Sequence, residues 1–174
     1  MKKLIYNSPI GPLVLIAHQG NLVYCNWDVK ECRHKETAAE KFVKSQSDIH
    51  EDMAVLGIAA TQLEEYFEGK RTSFSLPLSM NGTPFRMLVW KELREIPYGT
   101  MISYKELAER CGRKNSHRAV ASACGANPIS IIIPCHRIIS AGNGLGGYTG
   151  GLDKKAALLN LEKAQSRSMG THSG

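Results

Sequence analysis

The chain has 174 residues, of which 43% are hydrophobic and 22% charged, the composition of a folded globular protein rather than a disordered one. No stretch approaches the roughly 20 apolar residues of a membrane helix. The start, MKKLIYNSPIGPLVLIA, is broken by Asn7, Ser8, Pro9, Gly11 and Pro12 too early for a signal peptide.

The net charge of +6 is unevenly spread. Residues 1–81 carry nine Lys/Arg against ten Asp/Glu, or −1, and residues 82–174 carry thirteen against six, or +7. A neutral half followed by a basic half points to a polyanion as partner of the second, with a solvated basic face as the alternative. Five cysteines at irregular spacings, without a CxxC pair, argue against a disulfide framework or a four-cysteine zinc site. A cytosolic location is therefore expected, with no membrane association. Cys25, Cys32 and His34 could supply metal ligands, but their spacing fits no common zinc pattern; the plain reading is one strand cysteine and two loop residues.

In chain order, short apolar runs at Leu4–Tyr6, Leu13–Ala17 and Leu22–Trp27 read as strands, with HQGN (His18–Asn21) as a hairpin turn. Helical patterns follow at about Glu36–Val43 and Met53–Phe67, the second ending at Gly69 as a C-cap. Leu78–Gly82 is the candidate boundary, which divides the chain into an α/β unit over 1–81 and a mainly helical unit over 82–165. The last nine residues, SRSMGTHSG, lack apolar periodicity and predict a frayed tail over 166–174.

In the second half Thr83 can cap a helix that has Pro84 at its first position, with Phe85, Leu88, Val89, Leu93 and Ile96 on one face. Ser103–Glu106 is a capping-box pattern, so a helix should begin at Tyr104 and stop near Gly112. After the turn Arg113–Ser116, another should run from about His117 to Gly125 and be stopped by Asn127-Pro128. Two short helices joined by a polar turn read as a helix-turn-helix. The second of them, HRAVASACGA, is almost entirely small, with Arg118 projecting near its start. That composition suits either tight packing inside the domain or close approach to DNA, and the basic charge favours DNA.

The run IIIPCHRII (Ile131–Ile139) sets a thiol, an imidazole and a guanidinium inside an apolar stretch, where titratable groups are costly unless paired. Ile129–Ile133 should be a short buried strand or extended segment, with Pro134 fixing the backbone before Cys135. A thiol near pKa 8.5 is only a few per cent thiolate at neutral pH. Its neighbour His136 is the candidate base, through a bridging water because adjacent residues of an extended chain point apart. Glu162 is the candidate carboxylate behind the histidine. The competing reading is a buried structural cysteine.

The run NPISIIIPCHRII resembles the active-site signature of the O6-alkylguanine-DNA alkyltransferases, whose hallmark is PCHR. The similarity extends through GTPFRMLVWKELREIPYGTMISYKELAERCG, HRAVASACGANP and GYTGGLDKKAALLNLE, with EYFEGKR in the first half, and covers about residues 4–164. It implies an α/β N-terminal domain of RNase H-like fold and a mainly α C-terminal domain with a helix-turn-helix. The implied activity is direct-reversal DNA repair: the protein flips an O6-alkylguanine out of duplex DNA and transfers the alkyl group to a cysteine once.

By the same resemblance Cys135 is the alkyl acceptor, His136 the water-mediated base, Glu162 its orienting carboxylate and Asn127 the hinge that braces the site. Arg118 is the intercalating residue, and Tyr104 assists flipping at the adjacent phosphate. Ala119, Ser122 and Ala123 belong to the small helix face that enters the minor groove. Tyr148, Thr149 and Gly150 form the loop that closes on the guanine; many members have serine where Thr149 stands, and threonine keeps the hydroxyl. Carbonyls of Cys135 and Ile138 are expected to accept from the guanine amino group, and Tyr104 and Lys155 to support the leaving base. Ser130 and Gly146 align with positions that affect pocket size. The chemistry requires no metal or organic cofactor; some members carry zinc in the N-terminal domain, without a matching ligand set here. The expected partner is double-stranded DNA with O6-alkylguanine, bound by a monomer, with O4-alkylthymine repair and cooperative assembly on DNA left open. A lesion-binding relative would lack Cys135, a Cys-His hydrolase would not need the basic helices, and a DNA-binding regulator would not need the thiol.

Overall fold

The structure is a computed structural model that describes residues 1–27, 46–140, 142 and 144–170, with side chains described outside 46–48 and 167–170. The chain divides into two compact units, Met1–Met80 and Asn81–Gly174. The helix expected at about Glu36–Val43, and Cys32 and His34, lie outside the described residues.

The first unit is a three-stranded antiparallel sheet in the order β1 (Lys2–Ser8), β2 (Gly11–His18), β3 (Asn21–Asn26), with helix α1 (Gln46–Phe67) against all three strands. The β2–β3 turn uses Gln19 and Gly20, both at positive φ, the left-handed pair of a tight hairpin whose twist matches its strands. Leu13–Ala17 of the central strand are buried. Val55, Leu56, Ala59, Leu63 and Tyr66 form the inner stripe of α1 at helical spacing, with Val55, Leu56 and Leu63 each contributing roughly 1.5–3 kcal/mol of hydrophobic burial. The helix begins seven residues before the expected Met53 and ends as expected at Gly69. There Gly69 N donates to Tyr66 O and Lys70 N to Glu65 O, the paired bonds of a Schellman cap.

The second unit begins with α2 (Pro84–Arg94), whose cap Thr83 accepts from Arg86 N. Its buried face is Val89, Trp90 and Leu93, and Trp90 Nε1 donates to Ala123 O at 2.9 Å, which ties α2 to α4 (His117–Gly125). Ser103 caps α3 (Tyr104–Arg110) by accepting from Glu106 N at 3.0 Å, and α3 and α4 pack on one another across the turn Cys111–Ser116. A two-residue parallel pairing of β4 (Ile102–Ser103) with β5 (Ile138–Ile139) sets the start of α3 beside the end of the PCHR run. Helix α5 (Leu152–Gly170) closes the unit with Lys155, Leu158 and Glu162 on its inner face.

Two expectations change. Ile129–Ile133 is fully buried but forms no strand. Asn127 accepts from Ile129 N and donates to Ile133 O, and Ile133 N bonds back to Ile129 O, so the run folds into a compact turn with Ile131 at φ 72°. The frayed tail does not begin at 166 either, since α5 continues through Gly170 and Ser166 Oγ donates to Glu162 O at 2.8 Å.

Candidate active site

Cys135, His136 and Arg137 form one turn of 3-10 helix, all three buried. This places neighbours in sequence on different sides of a tight turn. Cys135, 7% exposed, opens onto a cavity of about 510 Å³ that Tyr104, Arg118, Tyr148 and Thr149 also line. His136, Arg137, Glu162, Asn127 and Lys155 are buried.

Behind the thiol lies a charged cluster. Glu162 accepts from His136 Nε2 at 2.8 Å, from Arg137 Nη2 at 2.9 Å and Nε at 3.0 Å, and from Gly99 N at 2.9 Å. Arg137 Nη1 also donates to Ile96 O at 2.5 Å, and its guanidinium lies 5.6 Å from the centre of the Tyr98 ring. Gly99 can deliver its N–H because it sits at φ 72°, and a Cβ there would stand 3.1 Å from Ser166 Cβ. Burial works to raise the Glu162 carboxyl, but His136 and Arg137 outweigh it and hold the group down at about 2. Burial lowers His136, against the pull of Glu162, so the imidazole is neutral beside an ionised carboxylate. A carboxylate only accepts, so Nε2 carries the proton and Nδ1 carries a lone pair. That Nδ1 is buried and has no hydrogen-bond partner among the described residues: it is a base with its proton site open.

On the other side Asn127 Nδ2 donates to Cys135 Sγ at 3.2 Å. Burial pushes the Cys135 thiol up, while Asn127, Lys155 and Ser130 pull it down. The resting sulfur is thus a thiol that needs a base, surrounded by groups that favour its anion. Lys155, fully buried, donates to Ile138 O at 2.5 Å and Gly147 O at 3.3 Å; burial lowers its pKa, and Cys135 and Cys124 work against that. Burial raises the Tyr104 hydroxyl, as do Cys124 and Cys135, so Tyr104 is a protonated donor at the cavity wall, 3.4 Å from Gly147 O.

Thr149 Oγ1 donates to Gly125 O at 3.1 Å, joining the 148–150 loop to the end of α4. Gly146, at φ 66°, admits no side chain: a Cβ would meet Ser140 Oγ at 2.8 Å and Tyr104 at 3.0 Å. Ser130 is buried and Gly150 half-buried at the loop. On α4, Arg118, Ala119 and Ser122 are exposed on the outer surface. Ala123 is corrected: only 2% exposed, it faces inward with Val120 and Cys124, because the α4 inner stripe passes through it.

Sequence reasoning missed Arg137 as the main partner of Glu162, although a guanidinium in an apolar run demands a buried carboxylate. It also missed Gly99, which carries no side-chain signal, and Cys124, His117 and Ser140, which line the cavity.

Residues 1–80 match the family described as 6-O-methylguanine DNA methyltransferase, ribonuclease-like domain, and residues 84–164 match its DNA binding domain. A methylated-DNA–protein-cysteine methyltransferase of Methanosarcina barkeri is 42% identical over 94% of this chain and 98% of its own. A protein of the same name from Mycobacterium bovis is 41% identical over 92% of this chain and 91% of its own. Among solved structures, Mycobacterium tuberculosis OGT in complex with DNA is 39% identical with a TM-score of 0.76, covering 92% of both chains.

Proposed function

The chain belongs to the 6-O-methylguanine DNA methyltransferase family, and from that premise we propose that it repairs O6-alkylguanine in duplex DNA by a single transfer to Cys135. The observation that carries the reading is the linked set Cys135, His136, Glu162 and Arg137: a thiol at a cavity, a neutral imidazole with a free Nδ1, and a carboxylate that fixes its tautomer.

DNA is bound by the basic second unit through α3 and α4, with the small exposed residues Ala119 and Ser122 allowing α4 to approach the minor groove closely. A base in the stack cannot reach a sulfur that is 7% exposed, so it must leave the helix. Unstacking costs a few kcal/mol, which a wedge in the vacated space offsets. Arg118, exposed near the start of α4 and lining the cavity mouth, fits the wedge, and Tyr104 the adjacent backbone.

In the cavity the thiol proton passes to His136 Nδ1 through a bridging water, and Glu162 and Arg137 stabilise the imidazolium. The sulfur attacks the alkyl carbon; the S–C bond forms as the C–O6 bond breaks. The guanine leaves with developing negative charge on its ring, which Tyr104 and Lys155 stabilise by donation. Holding the sulfur in line is the larger contribution, because effective molarities reach ~10⁵ M or more, whereas ionising the thiol fully gains far less. The product is a thioether, and no group at the site can cleave it, so each molecule acts once. The test is a titration of labelled O6-methylguanine duplex with protein. Transfer should saturate at one methyl per active molecule; continued turnover would reject the reading.

A further inference from the structure

The cavity holds a second thiol that alkyl transfer leaves unused. Cys124, in the last turn of α4, is 6% exposed and lines the same cavity as Cys135. One residue is bonded to both: Asn127 donates its backbone N–H to Cys124 O at 3.2 Å and its side-chain amide to Cys135 Sγ at 3.2 Å. Both thiols are free, and Tyr104 lines the cavity together with both of them. Cys111, the other buried free cysteine of this unit, does not line the cavity.

We propose that Cys124 is a resolving thiol, which closes a reversible disulfide with Cys135 when a peroxide enters the cavity. The chemistry balances without any further reagent. The Cys135 sulfur attacks one peroxide oxygen, the O–O bond breaks, and water leaves a sulfenic acid on Cys135. The Cys124 sulfur then attacks the Cys135 sulfur, and the sulfenic hydroxyl departs as water with the Cys124 proton. Two thiols lose two electrons and two protons, and one hydrogen peroxide becomes two waters. Without a second thiol the sulfenic acid goes on to sulfinic acid, which thiols do not reverse. A disulfide needs Cα atoms within about 7 Å, and Cys124 sits next to the helix end at Gly125 and the cap Ala126. The consequence, a shielded alkyl acceptor that a reductant restores, rests on the function proposed above; the thiol chemistry does not.

The full-length protein, without DNA, is exposed to hydrogen peroxide, digested under non-reducing conditions and mapped by mass spectrometry, before and after dithiothreitol. A linked Cys124–Cys135 peptide, returned to free thiols by dithiothreitol, is expected. In Cys124→Ser and Cys124→Ala the same exposure should carry Cys135 to sulfinic acid, with loss of its recovery by dithiothreitol. Sulfinic acid on Cys135 beside a free Cys124 in the unsubstituted protein would overturn the proposal. So would a Cys111–Cys124 link, or equal recovery in the variants. If the variants do not fold, the map of the unsubstituted protein decides alone. Failure of the repair reading would show separately, as no methyl gained from DNA.

Discussion

Glu162→Gln is the sharpest perturbation of the site, because it removes one charge and changes little volume. In the native protein that carboxylate, 1% exposed, accepts from His136, Arg137 and Gly99. The amide keeps one accepting oxygen but no charge, so the Arg137 guanidinium stays buried without its counter-ion. Breaking a buried ion pair from one side costs about 3–5 kcal/mol. Linkage gives a similar figure: a carboxyl moved from 4.5 to about 2 contributes on the order of 3 kcal/mol at neutral pH. The melting midpoint should fall by roughly 12–20 °C, taking about 4 °C per kcal/mol. Trp90 fluorescence in a Trp27→Phe background reads this unit alone, since each unit holds one of the two tryptophans. The sign with pH is fixed as well. A depressed carboxyl contributes its full stability above its ordinary value of 4.5 and loses it as pH falls towards about 2. The gap between native protein and variant should therefore close over that window. A loss below about 1 kcal/mol, or a gap that stays constant on acidification, would refute the buried ion pair as a stabilising element.

Asn127→Ala deletes bonds to Ile133 O, Ile129 N and Cys135 Sγ. At about 1–3 kcal/mol for each buried group left unsatisfied, urea denaturation should show a loss of several kcal/mol, and a loss under about 1 kcal/mol would deny that Asn127 holds the turn. Lys155→Met removes the ammonium that lowers the Cys135 thiol, so iodoacetamide should label Cys135 more slowly and with a pH midpoint moved upward. Unchanged labelling would remove Lys155 from the chemistry. Arg118→Ala should leave stability within about 0.5 kcal/mol and slow repair in duplex DNA more than reaction with free O6-alkylguanine. Equal losses in the two assays would exclude a wedge.

Much of the helical framework was legible because its signals are local. Thr83-Pro84 and Ser103–Glu106 mark helix starts by their own capping groups, and Gly69 ends a helix through its backbone alone. The turn at Ile129–Ile133 was not legible, since β-branched residues normally favour strands. Here a tertiary anchor, the Asn127 side chain, prevails over that preference. The pairing of Arg137 with Glu162 spans 25 positions, and no local pattern encodes it. Ala123 was misplaced because small residues look alike on both faces of a helix; its burial with Val120 and Cys124, and the Trp90 indole bonded to Ala123 O, mark the inner one. The motif names Cys135, His136 and Glu162, but the His136 tautomer follows only from the contact with Glu162.

The central claim, that Cys135 takes an alkyl group from guanine in DNA and keeps it, is tested most directly at the sulfur itself. Equal amounts of protein and O6-methylguanine duplex are mixed, and the peptide that carries Cys135 is mapped by mass spectrometry beside a Cys135→Ala control. The account predicts one methyl on Cys135, unmethylated guanine in the DNA and no transfer in the control. Repaired DNA with an unmodified Cys135 would contradict it.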